Sequence, residues 1–265
     1  MLIIKKNYLI YIIILLISML ITSVITSKIV KIQTEKNIFS PEKDSFCSDK
    51  ESTKNYEEFL MQKYIEKKLI ALTFDDGPSR YTESLVDELT KRNIHCTFFV
   101  IGKNIETMSS HMKFAYDSGN EIAIHTYTHK LFTSLKKEEI ESEIKKTRDL
   151  IFNSIQKEPT LIRVPYGAIN KKVEDVINYS SLKSILWTVD SKDWKFKNVD
   201  RIYNYVLKNI KGNDIILMHD AYKTSIDSAI KIIDTLTEKC YTFVTVSEFL
   251  NIKEKCTNQE TKKAN

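Results

Sequence analysis

The sequence predicts an α/β fold, a parallel sheet or barrel of about seven strands, preceded by one membrane-spanning helix and a polar stalk. Three observations predict it. Short apolar runs alternate with amphipathic segments from Leu69 onward, polar clusters sit just past the ends of several of those runs, and a charge-free stretch lies near the N-terminus.

That stretch comes first. From Tyr8 to Thr26 the chain reads YLIYIIILLISMLITSVIT, nineteen residues without a charge, close to the ~20 that cross a bilayer as a helix. Lys5 and Lys6 precede it, so the excess of positive charge leaves the N-terminus in the cytoplasm and exports everything after Lys28. Residues 1–28 are therefore expected to be a cytoplasmic tip and a signal-anchor. The protein is then a single-pass cell-membrane protein with its folded part outside. Cleavage of a signal peptide after Ser23, Thr26 or Ser27, giving a secreted domain, is the alternative. The length of the apolar run and the lack of an A-x-A-like site favour a retained anchor.

Residues 29–66 are polar and lysine-rich, with Pro41 and little periodicity, and read as a stalk with a short helix at Tyr56–Tyr64. The folded domain is expected over 67–252. LIALTF leads to a helical stretch at Ser79–Arg92 and then to CTFFVI. A helical stretch at Ile105–Asp117 precedes EIAI, and one at Lys136–Ile155 precedes TLI. Lys171–Asn178 leads to SILWTV, Val199–Ile210 to IILM, and Ser225–Thr237 to YTFVTV. Strands separated by helices of this length build βαβ units. The polar residues 253–265 are expected to fray as a tail.

Composition narrows the function. Hydrophobic residues make up 42% and charged residues 28% of the 265, which is ordinary for a globular protein. The net charge of +5, from 40 Lys+Arg against 35 Asp+Glu, is spread along the chain and predicts no nucleic-acid interface. It suits weak attraction to an anionic membrane or wall surface. Four cysteines, Cys47, Cys96, Cys240 and Cys256, form no C-x-x-C pair, which argues against a zinc finger or thioredoxin-like centre. Cys96 reads as a core residue. Cys47 and Cys256 flank the domain, and sequence leaves a disulfide between them open.

The chemistry lies at strand ends. LIALTF is followed by Asp75-Asp76-Gly77-Pro78, EIAI by His125 and His129, TLI by Arg163 and Pro165-Tyr166-Gly167, SILWTV by Asp190, Asp193 and Trp194, and IILM by His219-Asp220. In a parallel barrel those ends share one face, the face that carries active sites. Singly, each has a plainer reading: a turn, a surface histidine pair or a helix cap. Their common placement, in a chain with only five histidines, points to one cleft. His95 and His111 are given no role in it.

With these residues laid out, the chain resembles the NodB-homology polysaccharide deacetylases, carbohydrate esterase family 4. The motifs TFDDGP (Thr73–Pro78), HTYTH (His125–His129), RVPYG (Arg163–Gly167), DSKDW (Asp190–Trp194) and LMHD (Leu217–Asp220) occur in order between about Leu69 and Leu250. Lys130 stands where Pro or Ser is frequent, and Cys240 where glycine is common. The resemblance implies a distorted (β/α) barrel. It implies one divalent metal ion on Asp76, His125 and His129; the ligand set suits zinc, with cobalt, nickel or iron also able to fill it. Asp75 becomes the general base, oriented by Arg163, and His219 the general acid, oriented by Asp193. The backbone of Tyr166 would meet the oxyanion, and Trp194 and Leu217 would wall a pocket for the acetyl methyl. The implied partner is an extracellular N-acetylated polysaccharide, peptidoglycan N-acetylglucosamine first. Chitin-like oligomers, another exopolysaccharide, an O-acetyl ester and a catalytically inactive sugar-binding barrel are the alternatives.

Overall fold

The computed structural model describes residues 53–264. The expected membrane-spanning run, the stalk up to residue 52, and Cys47, and with it the open question of a disulfide to Cys256, lie outside the described residues. Within them, no helix is long and apolar enough to cross a membrane.

The chain runs α1 (Thr53–Ile65), β1 (Leu69–Gly77), α2 (Thr82–Lys91), β2 (Thr97–Val100), α3 (Gly102–Asp117), β3 (Glu121–Ile124), α4 (Lys137–Ile155), β4 (Leu161–Ile162), α5 (Lys171–Tyr179), β5 (Lys183–Ser184), β6 (Val189–Asp190), α6 (Asp193–Phe196), α7 (Val199–Asn209), β7 (Asp214–His219), α8 (Lys223–Glu238), β8 (Thr242–Phe243) and α9 (Val246–Ala264). The strands form one sheet in the order β5-β4-β3-β2-β1-β7-β6, with β8 pairing the start of β1. Every pairing is parallel. The result is a half-barrel of seven parallel strands with β8 beside it, close to the expected architecture.

Side-chain alternation divides the core in two. Ile70, Leu72 and Phe74 of β1, Phe98 of β2 and Ile122 and Ile124 of β3 face outward and pack against Leu85, Met112, Ile144 and Ile232 of the surrounding helices. Leu69, Ala71, Phe99, Ala123 and Leu161 face inward, where Val246, Phe249 and Ile252 of α9 and Leu60 of α1 close the barrel floor. Each of the larger side chains, the two alanines apart, contributes roughly 1.5–3 kcal/mol, and both faces of β1 are used, which explains its continuous apolar run.

Two expectations are corrected. SILWTV was expected as one strand and is two: β5 pairs with β4, and β6 pairs with β7 at the opposite edge. Ile185 to Thr188 span the seam between the edges, with Ile185 N–H donating to Ile162 O and Thr188 N–H to Ile215 O. The polar tail is also not a tail. α9 continues to Ala264, and together with α1, which contains the short helix expected at Tyr56–Tyr64, it packs on the domain. Residues 53–66 and 253–264 thus belong to the folded unit rather than to a stalk and a frayed end. Cys256 is buried there, its Sγ 4.0 Å from Met61 O.

Candidate active site

Strand period delivers the polar residues to one place. Asp75 lies opposite His219 in the β1–β7 register, and Ile124 opposite Ile162 in β3–β4. Asp75 and His219 therefore continue the inward-facing series of their strands, and His125 and Arg163 sit level one step beyond β3 and β4. In a regular strand Asp76 would point away from its neighbour Asp75. It does not, because the register shifts between Asp75 and Gly77, and Asp76 adopts a left-handed φ of 72°. Such a bulge re-aims one side chain. Both carboxylates now reach the same imidazole: His125 Nε2 is 3.7 Å from Asp75 Oδ2 and 3.5 Å from Asp76 Oδ1.

Arg163 is wholly buried. Its guanidinium donates to Asp75 Oδ1 and to Thr73 Oγ1, both at 2.7 Å, and to the carbonyls of Ile185 and Leu186 at 3.2 and 3.3 Å. It also lies over the Phe99 ring, 4.1 Å from its centroid. The same side chain therefore holds Asp75 and serves the carbonyls at the barrel seam. It leaves Asp75 Oδ2 directed toward the histidines.

Asp76, His125 and His129 form a group able to hold a metal ion, one donor atom from each lying within 4.8 Å of the others. The local chemistry fits a cation. His125 Nδ1 donates to Arg163 O at 2.7 Å, which leaves its Nε2 lone pair for the site. His129 Nε2 is 3.4 Å from Asp76 Oδ1. Burial, then the neighbouring His125, hold the His129 imidazole below its ordinary pKa against the pull of Asp76, so it favours the neutral form a ligand needs. Asp76 Oδ1 is buried and has no hydrogen-bond partner among the described residues. A carboxylate oxygen in that position calls for a cation.

His219 approaches the other oxygen of Asp76, with Nε2 4.0 Å from Oδ2. Asp193, fully buried at the start of α6, accepts from His219 Nδ1 and from His219 N, each at 2.8 Å. Burial opposes charge on His219, but the Asp193 hydrogen bond and charge, aided by Asp75 and Asp76, overcome it and push the imidazole up to about 9. For Asp193, burial opposes ionisation, and the bond and charge of His219 prevail to hold its carboxyl below the ordinary value. The pair is an imidazolium with a buried carboxylate.

These groups line a cleft of about 460 Å3 whose apolar walls are Val164, Tyr166, Trp187, Trp194 and Leu217. Tyr166 is 70% exposed, has φ 62°, and sets its ring edge-on to His129 with centroids 5.1 Å apart. Such a conformation in a bulky residue costs of order 1–3 kcal/mol and persists only where surroundings impose it. All the residues expected at the site converge: Asp75, Asp76, His125, His129, Tyr166, Trp194, Leu217 and His219 line the cleft, and Arg163 and Asp193 lie buried behind it.

Sequence reasoning missed Trp187, which was assigned to a strand interior but lines the cleft from the seam. It also gave Asp220 no role. Asp220 is fully buried, accepts a 2.5 Å hydrogen bond from Thr82 Oγ1 on Oδ2, and has no partner for Oδ1 among the described residues. Burial raises its carboxyl to about 7, with Thr82 opposing and Asp76 adding to the rise. A Cβ on Gly77 would stand 2.6 Å from Asp220 Oδ2. The glycine of TFDDGP is therefore required for space, and only the fold could reveal that.

A parallel half-barrel with a His–His–Asp donor group at its strand ends, flanked by an Arg-held carboxylate and an Asp-held imidazole, defines the class. The family profile "Polysaccharide deacetylase" matches residues 62–185. The peptidoglycan-N-acetylmuramic acid deacetylase PdaC of Bacillus subtilis is 38% identical over 189 residues, 71% of this chain and 40% of that protein. Its solved structure superposes with a TM-score of 0.70 at 36% identity, covering 74% of this chain and 96% of the other. A peptidoglycan-N-acetylglucosamine deacetylase of Bacillus cereus is 35% identical over 193 residues, 71% of this chain and 90% of that protein. The chain belongs to the polysaccharide deacetylase family, carbohydrate esterase family 4. It spans about 40% of the length of the first curated relatives it matches. The fold also hosts a family 4 pseudoenzyme from Bacillus anthracis, with a TM-score of 0.66 and 26% identity over 69% of this chain and 65% of the other, so activity is argued from the site rather than the fold.

Proposed function

We propose that the protein is a metal-dependent N-deacetylase of an extracellular polysaccharide, with N-acetylglucosamine of peptidoglycan as its first substrate. One observation carries this reading: a donor trio has an Arg-held carboxylate beside His125 and an Asp-held imidazole beside the other face of Asp76. That is the layout needed for a base and an acid acting on one amide.

Asp76, His125 and His129 would hold the cation, zinc by preference, with cobalt, nickel or iron able to fill the same donors. When bound, a divalent cation polarises the acetyl carbonyl and eases ionisation of water near neutral pH. Asp75, with Oδ1 fixed by Arg163, takes the proton of the attacking water on Oδ2. The backbone N–H of Tyr166 meets the oxyanion of the tetrahedral species. His219, with Nδ1 engaged by Asp193, delivers the proton on Nε2 to the departing nitrogen. The C–N bond then breaks, leaving acetate and a free amine on the sugar. Trp194 and Leu217 wall the acetyl methyl, and the exposed Tyr166 ring offers a face for the sugar.

Export and membrane anchoring belong to the same proposal, supported by the charge-free run Tyr8–Thr26 behind Lys5 and Lys6. The test is tandem mass spectrometry of peptidoglycan fragments incubated with the full chain. Loss of an acetyl group from the glucosamine residue is expected, and loss from the muramic acid residue would move the substrate to the sister sugar. Deacetylation of chitin oligomers alone, release from O-acetyl esters alone, or no release at all would overturn the peptidoglycan reading in favour of the corresponding alternative.

A further inference from the structure

Helix α4 carries one acidic side chain on its buried face. Glu143 lies among Ile140, Ile144, Thr147 and Ile151 and is only 7% exposed. No lysine or arginine among the described residues forms an ion pair with it. Its carboxylate instead accepts three hydrogen bonds, from Tyr127 N at 2.9 Å and Thr128 N at 2.7 Å on Oε2, and from Thr128 Oγ1 at 2.6 Å on Oε1. All three donors lie in the short loop between His125 and His129. That loop needs an external hold, because Thr126 and His129 both take left-handed φ values, 67° and 57°, which residues with side chains avoid. From the other side Gly102 N and Lys103 N donate to the carbonyls of Thr126 and Tyr127. A buried carboxylate satisfied by donors alone is an unusual choice for a helix face that would otherwise be apolar.

We infer that Glu143 is a positioning residue for the metal centre: its carboxylate fixes the 126–128 loop so that the Nε2 atoms of His125 and His129 converge on Asp76. The inference rests on the metal reading given under Proposed function. Leucine at this position would leave the three donors without an acceptor on an otherwise apolar helix face, whereas glutamine could keep the two backbone bonds on its oxygen and turn its NH2 toward the Thr128 hydroxyl, which can also accept.

The experiment is zinc titration into the metal-free full chain by calorimetry with a competing chelator, for the wild type, Glu143→Leu and Thr128→Val. Glu143→Leu is expected to bind zinc about 10- to 100-fold more weakly, the usual effect of removing a group that orients metal ligands. Thr128→Val, which removes one of the three bonds, shows a smaller loss and carries the test if Glu143→Leu does not fold. Activity of the variants recovers toward wild type at saturating zinc. A purely structural role lowers the unfolding temperature and leaves zinc affinity of the folded protein unchanged; that result overturns the inference. If the wild type itself binds no divalent ion, the metal reading falls, and the inference falls with it.

Discussion

Replacing Asp193 with asparagine removes one charge and little shape, and its consequence is calculable. The His219–Asp193 contact is 2.8 Å, with Asp193 fully buried. The imidazole stands at about 9 rather than 6.5 in spite of its burial, a preference for imidazolium worth roughly 3 kcal/mol. Without the carboxylate, burial is opposed only by the smaller pulls of Asp75 and Asp76, and the imidazole falls back toward 6.5. At pH 7 the general acid is then mostly neutral. The kcat/KM for acetate release should fall about fourfold at neutral pH and recover on acidification, its alkaline limb moving down by about 2.5 pH units. A cation bound beside Asp76 lowers both limbs together, so the difference between the two enzymes is the quantity to read. Stability follows the same linkage. A group whose folded pKa is raised stabilises fully below its unfolded value, and that stabilisation is lost as pH rises through the folded one. The metal-free wild type should therefore lose stability between about 6.5 and 9, and Asp193→Asn should lack that loss. An alkaline limb that stays in place in Asp193→Asn would refute the assignment of His219 as an Asp193-held acid.

Arg163→Met strands a buried carboxylate and two seam carbonyls; a loss of about 3–5 kcal/mol is expected in denaturant unfolding, and a loss under 1 kcal/mol would show that the seam closes without it. Gly77→Ala places a methyl against the Asp220 carboxyl, and should cost about 1–3 kcal/mol together with much of the activity, both read on the purified protein. His125→Ala should abolish stoichiometric metal binding, whereas His219→Ala should retain the metal and lose turnover by about 100- to 10,000-fold; metal analysis after dialysis separates the two.

The site was more legible than the fold, and the reason is physical. Asp75, His125, Arg163 and His219 stand at the ends of apolar runs, and strand periodicity alone puts such residues on one inner face. The bulge that brings Asp76 alongside Asp75 cannot be read from a run of letters, because it depends on the register with β2. SILWTV looked like one strand since apolar character was unbroken. Its division arises from which neighbours offer free edges, β4 at one end and β7 at the other. Helix α9 was readable and was missed. Thr245 and Glu248 form a capping box, with Glu248 Oε2 accepting from Thr245 N at 2.8 Å, and Phe249, Ile252 and Cys256 mark a narrow buried stripe. Its polar remainder disguised it. Glu143 likewise showed itself as an acid inside an apolar helical stripe, while Asp220 and the left-handed Tyr166 become significant only in three dimensions.

The central claim is that one cation held by Asp76, His125 and His129 is needed for deacetylation. Acetate release from N-acetylated glycan should be followed while zinc is titrated into the metal-free full chain, with Asp76→Asn alongside. Activity should rise to a plateau at one equivalent in the wild type and stay absent in the variant at that dose. Full acetate release before any metal is added, or a filled metal site that releases none, would contradict the account.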